Sequence, residues 1–180
     1  MFSPPPIPAW DHMHPIVVHF PIALLLVAPV FLLMAIAWKS QRRVMMLVTC
    51  TMVVLGAVAA QVAVMTGEET GEITQTAVLA EPVLERHEEL AEIARTIFLV
   101  LAGVAVVGTA AVWTLKDRAK PALVVGGMVV YGVAHLLGCL VLGNAAHEGG
   151  RVVHEFGTAA WADRAVMPEN MGMNTEVEED

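Results

Sequence analysis

The chain is poor in cysteine, and this excludes several kinds of redox centre. It contains two cysteines, Cys50 and Cys139, whereas an iron–sulfur cluster needs four thiolates. It also lacks the Cys-x-x-Cys-His sequence that attaches haem covalently. At about 1.5 Å per helical residue the two cysteines lie at different depths, so we expect packing residues and no disulfide. Neither an iron–sulfur cluster nor covalent haem is therefore expected.

Charged residues are also scarce, at 16% of 180 residues, and acidic ones outnumber basic ones to give a formal charge of −8. A nucleic-acid partner is not expected, because such proteins carry a basic surface. The sequence shows no Ser-His-Asp arrangement, no buried carboxylate pair and no phosphate-binding glycine loop. Nothing in it supports an enzyme with independent catalytic activity.

Hydrophobic residues, in contrast, make up 57% of the chain and gather into long runs. A helix that spans a bilayer needs about 20 apolar residues, and four runs reach that length. We predict an all-α integral membrane protein, a four-helix up-down bundle over residues 15–157. An outer tail, residues 1–14, precedes it, and an acidic, flexible outer tail, residues 158–180, follows it. The predicted helices cover about 15–38, 44–66, 82–116 and 121–147.

Basic residues in the two short connections predict the orientation of the bundle. Three basic residues lie in the first connection and three in the second, and short basic loops face the cytoplasm. We therefore expect both termini on the outer, periplasmic side of a bacterial inner membrane. The basic residues are Lys39, Arg42, Arg43, Lys116, Arg118 and Lys120.

Prolines and small residues inside the runs predict how the helices pack. Pro21 and Pro29 remove backbone donors, which is tolerated where a neighbouring helix satisfies the freed carbonyl. Small residues allow close approach of two helices, and we expect seams of this kind on the second and fourth helices. The seam residues are Gly56 with Ala60, Gly126 with Gly127, and Ala134 with Gly138.

Six of the seven histidines lie towards the predicted outer face, in two layers. His19 and His135 lie at similar depth inside the spans, where ionisable side chains are costly and mark candidate sites. His12, His14, His87 and His147 lie at the outer interface. Imidazole is the commonest ligand of non-covalent, b-type haem, and arginines can pair with its propionates. We expect haem b, with Arg86, Arg95 and Arg151 as the propionate partners.

Two histidine motifs resemble a bacterial family of four-helix membrane proteins of unknown function. The first is His14-Pro-Ile-Val-Val-His19-Phe-Pro-Ile-Ala, and the second begins at Ala146-His147-Glu148-Gly149. Thr66-Gly67-Glu68 and His87 match as well, so the resemblance covers residues 12–158. Family members often have a histidine where this chain has Phe156. The matching positions are His14, His19, His87 and His147.

The resemblance implies an electron-transfer setting, because relatives occur beside cytochrome c or Rieske modules. Our leading interpretation is a haem-binding electron-transfer subunit in contact with lipid and with other membrane or periplasmic redox subunits. His19 is its first ligand, paired with His135 by depth, or with His87 or His147 by resemblance.

Two alternatives stay open. One is a structural or assembly subunit whose histidines only hydrogen-bond between helices. The other is copper or zinc binding at the outer face by His12, His14, His147 and the methionines near residues 167–173.

Overall fold

The computed structural model describes residues 13–74, 81–115, 118 and 120–155, with the side chains of 69–74 excepted. All regular structure in these segments is helical. A short helix, α1 (His14–Val17), leads into α2 (His19–Ala37), and one 3₁₀ turn (Lys39–Gln41) connects α2 to α3 (Arg42–Thr74). The remaining helices are α4 (Glu81–Leu115) and α5 (Pro121–His154). Both predicted tails fall largely outside the described residues.

The helices differ from the predicted spans at their ends. α3 continues to Thr74 and α5 to His154, rather than ending near residues 66 and 147. Hydropathy marks only the apolar stretch, and a helix can continue into water where polar residues replace apolar ones. The first span is broken at Val18, where Pro21 has no N–H for the carbonyl of Val17.

Within the described residues, four helical segments are long and apolar enough to cross a membrane, which confirms the predicted number of spans. Consecutive long helices pack side by side, and α5 also packs against α2, which closes the bundle. α1, α2 and α3 form a first hairpin, and α4 and α5 form a second. We call the end with residues 38–41, 118 and 120 the basic end, and the opposite end, with His14 and His87, the histidine end.

The bundle buries a narrow apolar core and exposes an apolar surface. Leu25, Val53 and Phe98 are each 0% exposed and belong to one core cluster. Large side chains such as Leu33, Val107 and Leu123 are more than half exposed. A water-soluble protein rarely exposes so much apolar surface, so the outer surface of this bundle suits contact with lipid tails.

Two of the predicted small-residue seams are present and one is not. A Cβ atom at Gly56 would lie 2.6 Å from the Leu25 side chain, and one at Gly138 would lie 3.0 Å from Ile97. At Gly126 and Gly127 a Cβ would meet nothing within 4 Å, so the prediction of a seam there was wrong. A small residue allows another helix to approach closely, but it does not show that another helix packs at that position.

Candidate functional site

His14 begins α1 and reaches across to the end of α3. Its Nδ1 lies 2.9 Å from the carbonyl oxygen of Ala63 and 3.3 Å from the hydroxyl of Thr66. The imidazole comes this close to the backbone because Gly67 has no side chain, and a Cβ there would lie 3.0 Å from the ring. A carbonyl can only accept, so Nδ1 donates, and in the neutral ring Nε2 keeps its lone pair.

His87 makes the same contact in the second hairpin. From the first turns of α4, its Nδ1 donates to the carbonyl of Ala145 on α5, 2.8 Å away. Gly149 lies one turn beyond Ala145, as Gly67 lies one turn beyond Ala63, and a Cβ at Gly149 would lie 2.8 Å from the His87 ring. Each hairpin thus holds one histidine against an Ala-x-x-x-Gly segment of its second long helix, and Nε2 of each ring forms no hydrogen bond with a residue that the structure describes.

The two histidines meet at the histidine end of the bundle. Their ring centroids lie 6.2 Å apart, and the ring planes are nearly perpendicular, at 81°. Metal-binding histidines commonly donate one ring N–H to a backbone carbonyl, which fixes the tautomer and leaves the other nitrogen to bind. Both members of this pair meet that condition, so we define His14 and His87 as the histidine pair.

The pair offers two nitrogen lone pairs as metal ligands, and this number limits what it can bind. No group of three or more histidine, cysteine, aspartate or glutamate side chains suited to a metal ion occurs in the described segments. A bare ion bound between these two rings would need ligands from elsewhere, since zinc sites usually take three or four from the protein.

His135 has a different role, which Pro29 explains. A proline cannot donate to the carbonyl four residues before it, so Pro29 leaves the carbonyl of Leu25 without its helical partner. His135 Nε2 on α5 donates to that oxygen at 2.8 Å, and the Cys139 thiol also points to it at 3.6 Å. The prediction that a neighbouring helix satisfies a carbonyl freed by proline is confirmed here.

The imidazole of His135 is enclosed, at 1% exposure, between the rings of Phe98 and Tyr131. Because Nε2 carries the proton, Nδ1 has only its lone pair to offer, and it has no partner among the described residues. This nitrogen lies in an enclosed space beside the phenyl ring of Phe98 and the phenol ring of Tyr131.

The other predicted histidines lie on the surface of the bundle. His19 is exposed and makes no hydrogen bond or ring contact within the described segments, so the structure does not bring it to His135. His147 is also exposed, and with Arg151, His154 and Glu155 it lines a shallow depression on α5. His12 and the methionines of the tail lie outside the described residues.

The three predicted arginines differ in what they contact. Arg86 pairs with Glu89 at 2.7 Å, and Arg151 pairs with Glu148 at 2.8 Å and Glu155 at 3.1 Å. The hydrogen bond from Arg151 holds the pKa of the Glu155 carboxyl below its usual range. Arg95 is half-buried and forms no ion pair with a described residue.

Sequence reasoning placed His14 and His87 in one interface layer but did not pair them with each other. A signal was available: both glycines that receive the rings lie next to a glutamate, in Gly67-Glu68 and Glu148-Gly149, and each is four residues after an alanine. Comparing the two halves of the chain would have shown this correspondence.

Residues 11–161 match one family of proteins, described as "Predicted membrane protein (DUF2231)". No curated protein and no solved structure matches the chain. The match covers most of the 180 residues and all four long helices. The chain therefore belongs to the DUF2231 family of membrane proteins.

Proposed function

We propose that this protein binds one b-type haem through His14 and His87 and transfers electrons near the periplasmic face of a bacterial inner membrane. The observation that carries the proposal is the geometry of the histidine pair. Both rings commit Nδ1 to a backbone carbonyl, at 2.9 Å and 2.8 Å, and both keep Nε2 for a ligand.

A haem iron suits two histidines better than a bare metal ion does. The porphyrin would supply four nitrogens to the iron, so the protein would need to provide only two, and His14 and His87 offer that number. Their ring centroids lie 6.2 Å apart, which brings both rings within reach of one group held between the two hairpins. When bound, haem would supply a one-electron couple between the two hairpins.

The orientation follows from the charges of the connections. Short loops rich in lysine and arginine stay in the cytoplasm, so the basic end faces inward and the histidine end faces the periplasm. Electrons would then be exchanged with other membrane or periplasmic redox subunits. Arg95 has no ion pair within the described segments, which makes it the better placed of the three arginines for a propionate; Arg86 and Arg151 would first have to leave their glutamates.

The test is the absorption spectrum of protein purified after haem-replete expression. We expect a Soret band and a reduced-minus-oxidised spectrum typical of two histidine ligands. His14→Ala and His87→Ala should each lose this spectrum. His147→Ala is the matched control, because it removes an exposed histidine from the same end of the bundle. Absence of a Soret band in the wild type, or equal loss in the control, would overturn the proposal.

A second candidate is a structural or assembly subunit without its own cofactor. It is favoured by the observation that His14, His87 and His135 each donate to a backbone carbonyl of another helix. Interhelical hydrogen bonds of this kind contribute about 0.6 kcal/mol on average in a membrane protein. If it is right, His14→Ala and His87→Ala lower thermal stability and weaken association with partner subunits, while no variant and no wild-type preparation has a haem spectrum.

A further inference from the structure

A cavity of about 600 Å³ lies at the basic end, far from the histidine pair. Four helices form its wall, with Leu32 of α2, Cys50 of α3, Val112 of α4 and Met128 of α5 among the lining residues. Gly108 and Gly127 also line it, and a Cβ atom at either would meet nothing within 4 Å. Gly108 and Gly127 therefore leave space between the helices at this end of the bundle.

The wall of this cavity suits an apolar guest. The Thr49 hydroxyl donates to the carbonyl of Met45 at 2.9 Å, and the Tyr131 hydroxyl donates to the carbonyl of Leu101 at 3.3 Å. Because these two hydroxyls donate to backbone carbonyls, they offer no donor to a polar guest, and Thr109 supplies the only other hydroxyl among the described residues of the wall. A hydrocarbon chain can enter such a cavity without leaving a polar group of its own buried and unpaired.

The rim of the cavity, in contrast, is cationic. Arg118 and Lys120 both line the cavity, and neither forms an ion pair with a residue that the structure describes. Their loop contains three basic residues against one acidic residue, Asp117. A guanidinium and an ammonium side by side recognise phosphate oxygens, the first as a two-pronged donor and the second as a point charge.

We propose that this cavity, which we call the lipid site, binds one anionic glycerophospholipid from the leaflet at the basic end. An acyl chain occupies the apolar space, and Arg118 and Lys120 hold the phosphate. Basic pockets between transmembrane helices on this side of a membrane bind anionic headgroups in the same way. Charge complementarity selects this guest over a neutral isoprenoid quinone, which would gain nothing from the two cations.

Native mass spectrometry of the delipidated full-length protein in detergent tests the proposal. Phosphatidylglycerol is titrated against phosphatidylcholine, and the number of bound lipids is counted. We expect one tight phosphatidylglycerol site, which the double variant Arg118→Gln, Lys120→Gln weakens about 25-fold, since each basic side chain contributes about a factor of five. The matched control, Lys39→Gln with Arg43→Gln, removes the same charge from the other connection and should keep the site.

A second pair of variants tests the cavity itself. Gly108→Leu fills the lipid site and should abolish tight binding, whereas Gly103→Leu adds the same side chain to α4 at a position that is also open but does not line the cavity. Equal binding of both phospholipids by the wild type would overturn the proposal. So would equal effects of the paired variants, or tight binding of a neutral quinone that survives the loss of Arg118 and Lys120.

Discussion

Replacing Gly149 by alanine tests the packing that holds His87 in place. The new Cβ would lie 2.8 Å from Cε1 and 3.0 Å from Nδ1 of His87, closer than real Cβ contacts allow. The ring must therefore move away from α5, and its 2.8 Å hydrogen bond to the carbonyl of Ala145 is lost.

The magnitude follows from three contributions. Overpacking costs about 1–3 kcal/mol, and loss of the interhelical hydrogen bond costs about 0.6 kcal/mol more. Alanine is the better helix former and returns about 1 kcal/mol. The free energy of unfolding should therefore fall by about 1–3 kcal/mol for Gly149→Ala.

The control lies one residue away. A Cβ at Gly150 would meet nothing within 4 Å, so Gly150→Ala should leave stability unchanged or raise it by up to about 1 kcal/mol. Both variants can be measured by unfolding in detergent with increasing denaturant. If Gly149→Ala is as stable as Gly150→Ala, the His87 ring does not rest on this glycine and the reasoning fails.

Two further predictions concern buried groups within the membrane. His135→Leu should lower the free energy of unfolding by about 1–3 kcal/mol, because the carbonyl of Leu25 loses its donor. The loss should be smaller in a Pro29→Ala background, where residue 29 supplies its own N–H to that carbonyl. Equal losses in both backgrounds, measured as a double-mutant cycle, would contradict this. Cys50 and Cys139 are both free, so the denatured, unreduced protein should react with two equivalents of a thiol reagent, and a value near zero would reveal a disulfide.

The four spans could be predicted from the sequence because lipid imposes a length and a composition on every helix that crosses it. Helix ends could not, since nothing in hydropathy tells Thr74 from Thr66 as the last residue of α3. Counting residues along a helix gives the depth of a side chain in the membrane, but it does not show which way the side chain faces around the helix axis. His19 and His135 were matched in depth, yet one is exposed and the other is 1% exposed.

The histidine pair was missed for a related reason. His14 and His87 are far apart in sequence, and their contact depends on how the two hairpins lie against each other. The sequence near each site does predict where one ring can pack, because a glycine one turn after an alanine leaves room for an imidazole beside the alanine carbonyl. The pairing itself is a property of tertiary structure, and only α1 and α4 placed together show it.

Each histidine of the pair is tied to its own hairpin, His14 to Ala63 and His87 to Ala145, while the contact between the rings is made across the two hairpins. A ligand bound by both Nε2 atoms would therefore link the two hairpins, because each ring stays hydrogen-bonded to its own hairpin. Binding at the pair would hold the two halves of the bundle together at the histidine end, and loss of the ligand would leave that end held by helix packing and the interhelical hydrogen bonds alone.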